Sequence, residues 1–219
     1  MLNPAKDLFE RWKLDELLLA YPGLGLRPVV NGAVRLTGSL AFSADAIGLE
    51  RIDDAYEVEI LVPSGFPREL PLVKETAGRI PKNFHTNQDG SLCLGSPVRQ
   101  HLELSKSPTL PGFLQRCVIP YLYGFSFREK HGELPFGELD HGITGIRHDF
   151  AELFGVNSQE AAVRMVELAG MKKRDANKRP CPCGSGRRLG KCHNLRVNAL
   201  RKQLGRTWFH EHYRWLARE

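Results

Sequence analysis

From Leu14 to Tyr21 the apolar residues Leu14, Leu17, Leu18 and Tyr21 fall on one face of a helix. Asn3 and Pro4 read as its start, a capping side chain followed by a proline suited to the first turn. Pro22 and Gly23 read as its stop. The period then changes to two. Residues 33–42 alternate loosely and residues 55–62 cleanly, with Tyr56, Val58, Ile60 and Val62 on one side. Residues 71–77 predict a third strand. Gly78, Pro81, Gly90, Gly95, Pro97, Pro108 and Pro111 break up the next stretch, so 78–112 reads as a long loop, a feature usually tied to function. An aromatic-rich helix follows over 112–127, with Leu114, Cys117, Val118, Tyr121 and Phe125 on one face and a bend at Pro120. After a Gly- and His-rich loop at 128–145, helical text covers 145–154. Asn157-Ser-Gln-Glu160 then reads as a capping box opening a helix to about Leu168, ended by Gly170 and a basic last turn. The order of helix, strands, long loop and helices predicts the α+β class with an antiparallel sheet.

Charge alters this picture at one place. Residues 1–171 carry 17 Lys+Arg against 22 Asp+Glu, a net of −5, whereas residues 172–219 carry 14 against 3, a net of +11. The expected layout is therefore a main domain over 1–171, a charged linker over 172–180 and a small basic unit with helical character over 181–219. A tail of that charge suits a polyanion or an acidic protein surface, or docking on its own acidic body. No apolar run approaches the roughly eighteen residues of a membrane span, and the polar N-terminus is not a secretion signal, so no membrane partner is expected. Three of the five cysteines cluster, which points to a reducing compartment, the cytoplasm.

That cluster lies in Cys181-Pro-Cys183-Gly-Ser-Gly-Arg-Arg-Leu-Gly-Lys-Cys192-His193. Cysteines one residue apart do not form an ordinary disulfide with each other, but both can face one ion. Gly184, Gly186 and Gly190 allow the chain to turn back and bring Cys192 and His193 to them. Three thiolates and an imidazole are a tetrahedral zinc set, and four protein ligands make the zinc structural rather than catalytic. The run Gly-Ser-Gly-Arg-Arg-Leu-Gly-Lys lacks the spacing of a phosphate-binding loop. About fifteen residues here resemble the SEC-C motif, a zinc knuckle appended to many bacterial proteins. A segment this small builds no core of its own, so metal removal is expected to unfold it and spare the rest.

The long loop holds His85-Thr-Asn87-Gln-Asp89-Gly90-Ser91-Leu-Cys93-Leu94. Asn87, Asp89, Gly90 and Ser91 are turn residues that would hold Cys93 at a sheet edge. An exposed cysteine there suits a nucleophile, and His85 and Asn87 suit an oxyanion donor or proton carrier. Upstream, Gly65-Phe-Pro67-Arg-Glu-Leu-Pro71 follows a strand.

Helix, antiparallel meander, Phe-Pro-x-x-x-Pro turn and Gly90-Ser-Leu-Cys93-Leu94, taken in order, resemble the ubiquitin-conjugating enzymes over residues 1 to about 155. The resemblance implies that fold, with flanking helices, and a thioester formed at Cys93. It implies transfer of a protein C-terminus, from a ubiquitin-like modifier or a nucleotidyltransferase, to an amine, and leaves open whether a separate activating enzyme is needed upstream. Two departures stand out. The family's His-Pro-Asn is His85-Thr86-Asn87 here, and its asparagine normally lies eight residues before the cysteine, a place held here by His85. The oxyanion role therefore stays open among His85, Asn87 and neither. Phe136-Gly-Glu-Leu-Asp-His141-Gly is similar to bacterial relatives from antiphage defence and conjugation operons, and would bring His141 toward the site or leave it a turn residue. Cys117, on an apolar helix face, reads as core. The competing readings are the same fold as an inactive binding module, and a nucleic-acid-associated protein acting through the zinc tail.

Overall fold

The computed structural model describes residues 10–28, 33–135 and 142–218. The chain divides into two compact units, Met1–Gly95 with Lys106–Glu138, and Ser96–Ser105 with Leu139–Glu219.

The first unit is built on a four-stranded antiparallel meander in chain order: β1 (Leu24–Arg27), β2 (Val34–Ala44), β3 (Ile52–Val62) and β4 (Leu72–Glu75). The α+β expectation holds. β2 and β3 pair over eleven residues each, from Val34 opposite Val62 to Ala44 opposite Ile52. Period-two patterning sets this register. Tyr56, Val58, Ile60 and Val62 are buried while Asp53, Ala55, Glu57 and Leu61 face out, and a slip of one residue would reverse them. β1 escaped the periodicity reading because Leu-Gly-Leu-Arg is too short to show a period. α1 (Leu14–Ala20) buries Leu14 and Leu17. Just ahead of it Trp12 donates its indole N–H to the Phe66 carbonyl at 3.1 Å, anchoring the turn before Pro67. The Phe66–Pro67 peptide is cis.

The aromatic helix is longer than its sequence pattern and is interrupted differently. It runs as α2 (Leu110–Phe113), a π-helical turn at Leu114–Val118 and α3 (Ile119–His131). The helix does not end at 127. Pro120 lies in the first turn of α3, where a missing N–H costs least, so the interruption is the wider turn before it. The Tyr56 hydroxyl and Ser126 Oγ are 2.7 Å apart, and Ser126 donates to Asp54 at 2.7 Å, linking α3 to β3. Arg79 closes over this network. It donates to both Asp54 oxygens at 2.8 and 2.7 Å and to Glu129 at 2.6 Å, and lies 4.3 Å over the Tyr56 ring.

The second unit is helical: α4 (Pro97–Lys106), α5 (Gly142–Phe154), α6 (Gln159–Gly170), α7 (Lys173–Ala176), α8 (Asn194–Leu204) and α9 (Arg206–Leu216). The expected loop over 78–112 thus contains α4, whose Pro97 opens the helix and whose Val98 and Leu104 are buried. The cap of α6 is Ser158, which accepts from Ala161 N–H at 3.1 Å, rather than Asn157. The expected boundary at 171–172 falls inside this unit. Residues 172–180 are not a linker, because α7 buries Ala176 fully among Phe154, Met165, Leu189 and Phe209.

Here His101 lies edge-on to Trp208 at 5.4 Å, and His212 stacks on Trp208 at 3.5 Å. Burial, with repulsion from His212, brings His101 down to about 4, and burial lowers His212 as well. An unfolded histidine takes up its proton near 6.5, so the stability these rings contribute is complete above that pH and is lost as pH falls toward 4. For partly exposed His101 the loss is about 2 kcal/mol. Thermal melts of the helical signal should fall between pH 7 and pH 4.5, and His101→Phe should flatten that dependence. An unchanged slope in the variant would remove His101 as its source.

Candidate metal centre and the Cys93 hairpin

The four expected metal ligands come together. One ligand atom each from Cys181, Cys183, Cys192 and His193 lies within 4.8 Å of all the others. Cys183 Sγ is 3.5 Å from Cys192 Sγ, and His193 Nδ1 is 3.2 Å from both Cys181 Sγ and Cys192 Sγ. A tetrahedron with metal–sulfur bonds of about 2.3 Å and a metal–nitrogen bond of about 2.0 Å has edges of roughly 3.5–3.8 Å, so the group is sized for one ion and zinc suits its donors. The sequence accounts for the assembly locally. Cys181 N–H donates to the Arg187 carbonyl at 2.8 Å and Leu189 N–H to the Arg179 carbonyl at 2.9 Å, forming a small hairpin. Gly184 and Gly186 turn it with φ of 79° and 69°, a region that glycine enters without steric cost. Leu189–Lys191 make one 3-10 turn, and Cys192 and His193 lead into α8.

Partners outside the motif tune the set. His193 Nε2 is 3.2 Å from the Gly155 carbonyl, which fixes the N–H on Nε2 and frees Nδ1 for an ion. Nothing in the sequence marks Gly155, 38 residues away. The Ser185 hydroxyl lies 3.4 Å from Cys192 Sγ, and Arg187 donates to the same sulfur at 3.7 Å. Burial pushes the Cys181 thiol up to about 11, whereas the Ser185 hydroxyl helps bring Cys183 down to about 6. The motif is not a free appendix. Cys181 and Leu189 are buried in the same core as Phe150, Phe154, Val166, Val197 and Phe209.

In the first unit, residues 85–93 form a tight hairpin. Asn87 N–H donates to the Ser91 carbonyl at 2.8 Å and Cys93 N–H to the His85 carbonyl at 2.7 Å, on either side of a Thr86–Leu92 bridge. This register makes His85 the direct cross-strand partner of Cys93, and Asn87 that of Ser91. Gly90 N–H donates to the Asn87 carbonyl at 2.9 Å, and Gly90 takes φ of 79°. Asp89 accepts from Ser91 N–H at 3.0 Å and Ser91 Oγ at 2.6 Å, bonds that hold its carboxyl below the usual range. Leu92 N–H donates to the Val73 carbonyl at 2.7 Å, which docks the hairpin on β4.

Cys93 is half-buried and Cys117 is 5% exposed. Asn87 points its amide into the turn, donating to Ser91 Oγ at 3.0 Å and reaching the Leu92 carbonyl at 3.5 Å. His85 holds φ of 38°, uncommon for a non-glycine residue, and its ring lies edge-on to Phe84 at 4.9 Å. From α3, the Tyr121 hydroxyl approaches the Phe84 and His85 carbonyls at 3.2 and 3.3 Å, and burial raises its pKa. Periodicity placed Tyr121 on a buried face but gave no sign of this clamp. Removing it with Tyr121→Phe should cost about 1 kcal/mol and speed amide exchange at Cys93 and Asn87; unchanged exchange there would show that the hairpin holds without it. His141 lies outside the described residues.

Among the described residues no helix is long and apolar enough to cross a membrane. Comparison with protein-family models, curated proteins and solved structures found no match to this chain.

Proposed function

We propose that the chain is a cysteine acyl transferase of the ubiquitin-conjugating type, with Cys93 as nucleophile. The observation that carries this reading is a half-buried cysteine on a hydrogen-bonded hairpin, opposite His85, at the edge of an antiparallel meander. The Cys93 thiolate attacks the carbonyl carbon of a C-terminus that a separate activating enzyme already holds as a thioester. The new C–S bond forms, and the carrier thiolate leaves with the old bonding pair. An amine then attacks the Cys93 thioester, the C–N bond forms, Cys93 departs as thiolate and the amine proton passes to a base. In this reading His85, across the hairpin from Cys93, meets the developing oxyanion or that proton. Asn87 serves as a positioning residue, because its amide hydrogens go to the turn.

The metal centre in this reading is a structural zinc, since four protein ligands leave no position for a substrate. The acyl donor is a ubiquitin-like modifier or a nucleotidyltransferase C-terminus, in an antiphage setting. Cys93→Ser tests the chemistry. Purified from cells with its neighbouring genes, wild-type protein should carry an adduct removed by reductant, and the serine variant one that resists it, because an alkoxide is a poorer leaving group. An adduct on both proteins with the same reductant sensitivity would exclude Cys93.

A further inference from the structure

We infer that the second unit binds single-stranded nucleic acid in a cleft beside the metal centre. Arg164 of α6 and Arg179 ahead of Cys181 line an open cleft of about 410 Å³, whose apolar lining includes Leu168, Met171, Pro180 and Pro182 and whose acid is Glu167. That volume lies in the usual range for a ligand site.

The segment that carries Arg179 is unusually charged for this protein. Several cations elsewhere are paired, Arg35 with Glu59, Arg79 with Asp54 and Glu129, Arg99 with Asp149 and Lys130 with Glu50. Residues 172–191 hold eight cations, from Lys172 to Lys191, against Asp175 alone. All eight are exposed, and none forms an ion pair among the described residues. A divalent ion with three thiolates and a neutral imidazole contributes one negative charge, so the surplus survives metal binding. Arg187 alone turns to a thiolate, Cys192. A solvated tail needs no cleft, and an acidic protein needs no apolar lining between its cationic walls. Single-stranded nucleic acid uses both, with phosphates on Arg164 and Arg179 and an unstacked base on Met171 and the two prolines. A duplex keeps its bases stacked and reaches only the charges.

The test is fluorescence anisotropy of the full-length, metal-loaded protein with a labelled single strand of about 16 nucleotides and the same sequence as duplex. Salt is varied over the range from about 50 to 200 mM. The wild type should prefer the single strand, with each phosphate contact adding about −0.7 to the slope of log affinity on log salt. Arg164→Ala with Arg179→Ala should weaken binding roughly tenfold and flatten the slope by about 1.4, the share of two contacts. Both side chains are exposed, so circular dichroism and metal content should stay unchanged, and Lys at both positions should restore most of the salt slope. The control pair Lys202→Ala with Arg206→Ala, on α8 and α9, should weaken binding less than about threefold, as fits exposed charges acting only at a distance. Equal loss from both pairs, equal or better duplex binding, or no binding at the lowest salt would overturn the site.

Discussion

Cys93→Ala is expected to abolish acyl transfer while moving the melting temperature by less than about 2 °C. Two features of the hairpin lead to this outcome. Cys93 is only half-buried, so truncating it leaves little cavity, and the bonds that shape the turn are made by the backbone, Asp89 and Asn87. Cys117→Ala should do the reverse. Cys117 is 5% exposed in the π-helical turn, so the variant should lose about 1 kcal/mol and keep transfer. The pair therefore separates chemistry from packing within one protein. Thermal melts and a transfer assay on both variants check it; a Cys93→Ala protein as active as the wild type would leave the fold as a binding module.

Metal removal should unfold the whole helical unit, not the 181–219 segment alone. Cys181 and Leu189 share a core with Phe154 of α5, Val166 of α6 and Phe209 of α9, and His193 is tied to the Gly155 carbonyl where α5 ends. Zinc held by such ligand sets stabilises small domains by roughly 10–16 kcal/mol, as much as the whole stability of an ordinary domain. Chelation, or Cys181→Ser, should therefore expose amides in α5, α6 and α9 together with the knuckle, while β2 and β3 stay protected. Metal analysis of the untreated protein should find about one zinc per chain. Hydrogen exchange after chelation checks the rest: loss confined to 181–193, with α6 still protected, would show that the shared core stands without the ion.

Legibility in the sequence followed from how local the cause was. β3 could be read because Tyr56, Val58, Ile60 and Val62 alternate with polar residues, and the metal ligands because all four lie within thirteen positions. The turn at Cys93 could be read because Asn87, Asp89 and Gly90 each act on a residue two to four away. α7 could not, because its charges conceal the one buried residue, Ala176, whose burial depends on residues far along the chain. α4 was hidden because proline was read as a breaker, although Pro97 opens the helix. The tie from His193 to Gly155 and the Tyr121 clamp on the Cys93 hairpin span about 36–38 residues, beyond any periodicity.

Intact-mass spectrometry of the protein, isolated without reductant from cells carrying its neighbouring genes, tests the central claim most directly. The expected result is an added mass equal to a protein C-terminal fragment or modifier, placed on Cys93 by peptide mapping, lost on reduction and absent from Cys93→Ala. An adduct that maps to another residue, or that survives in Cys93→Ala, would contradict it.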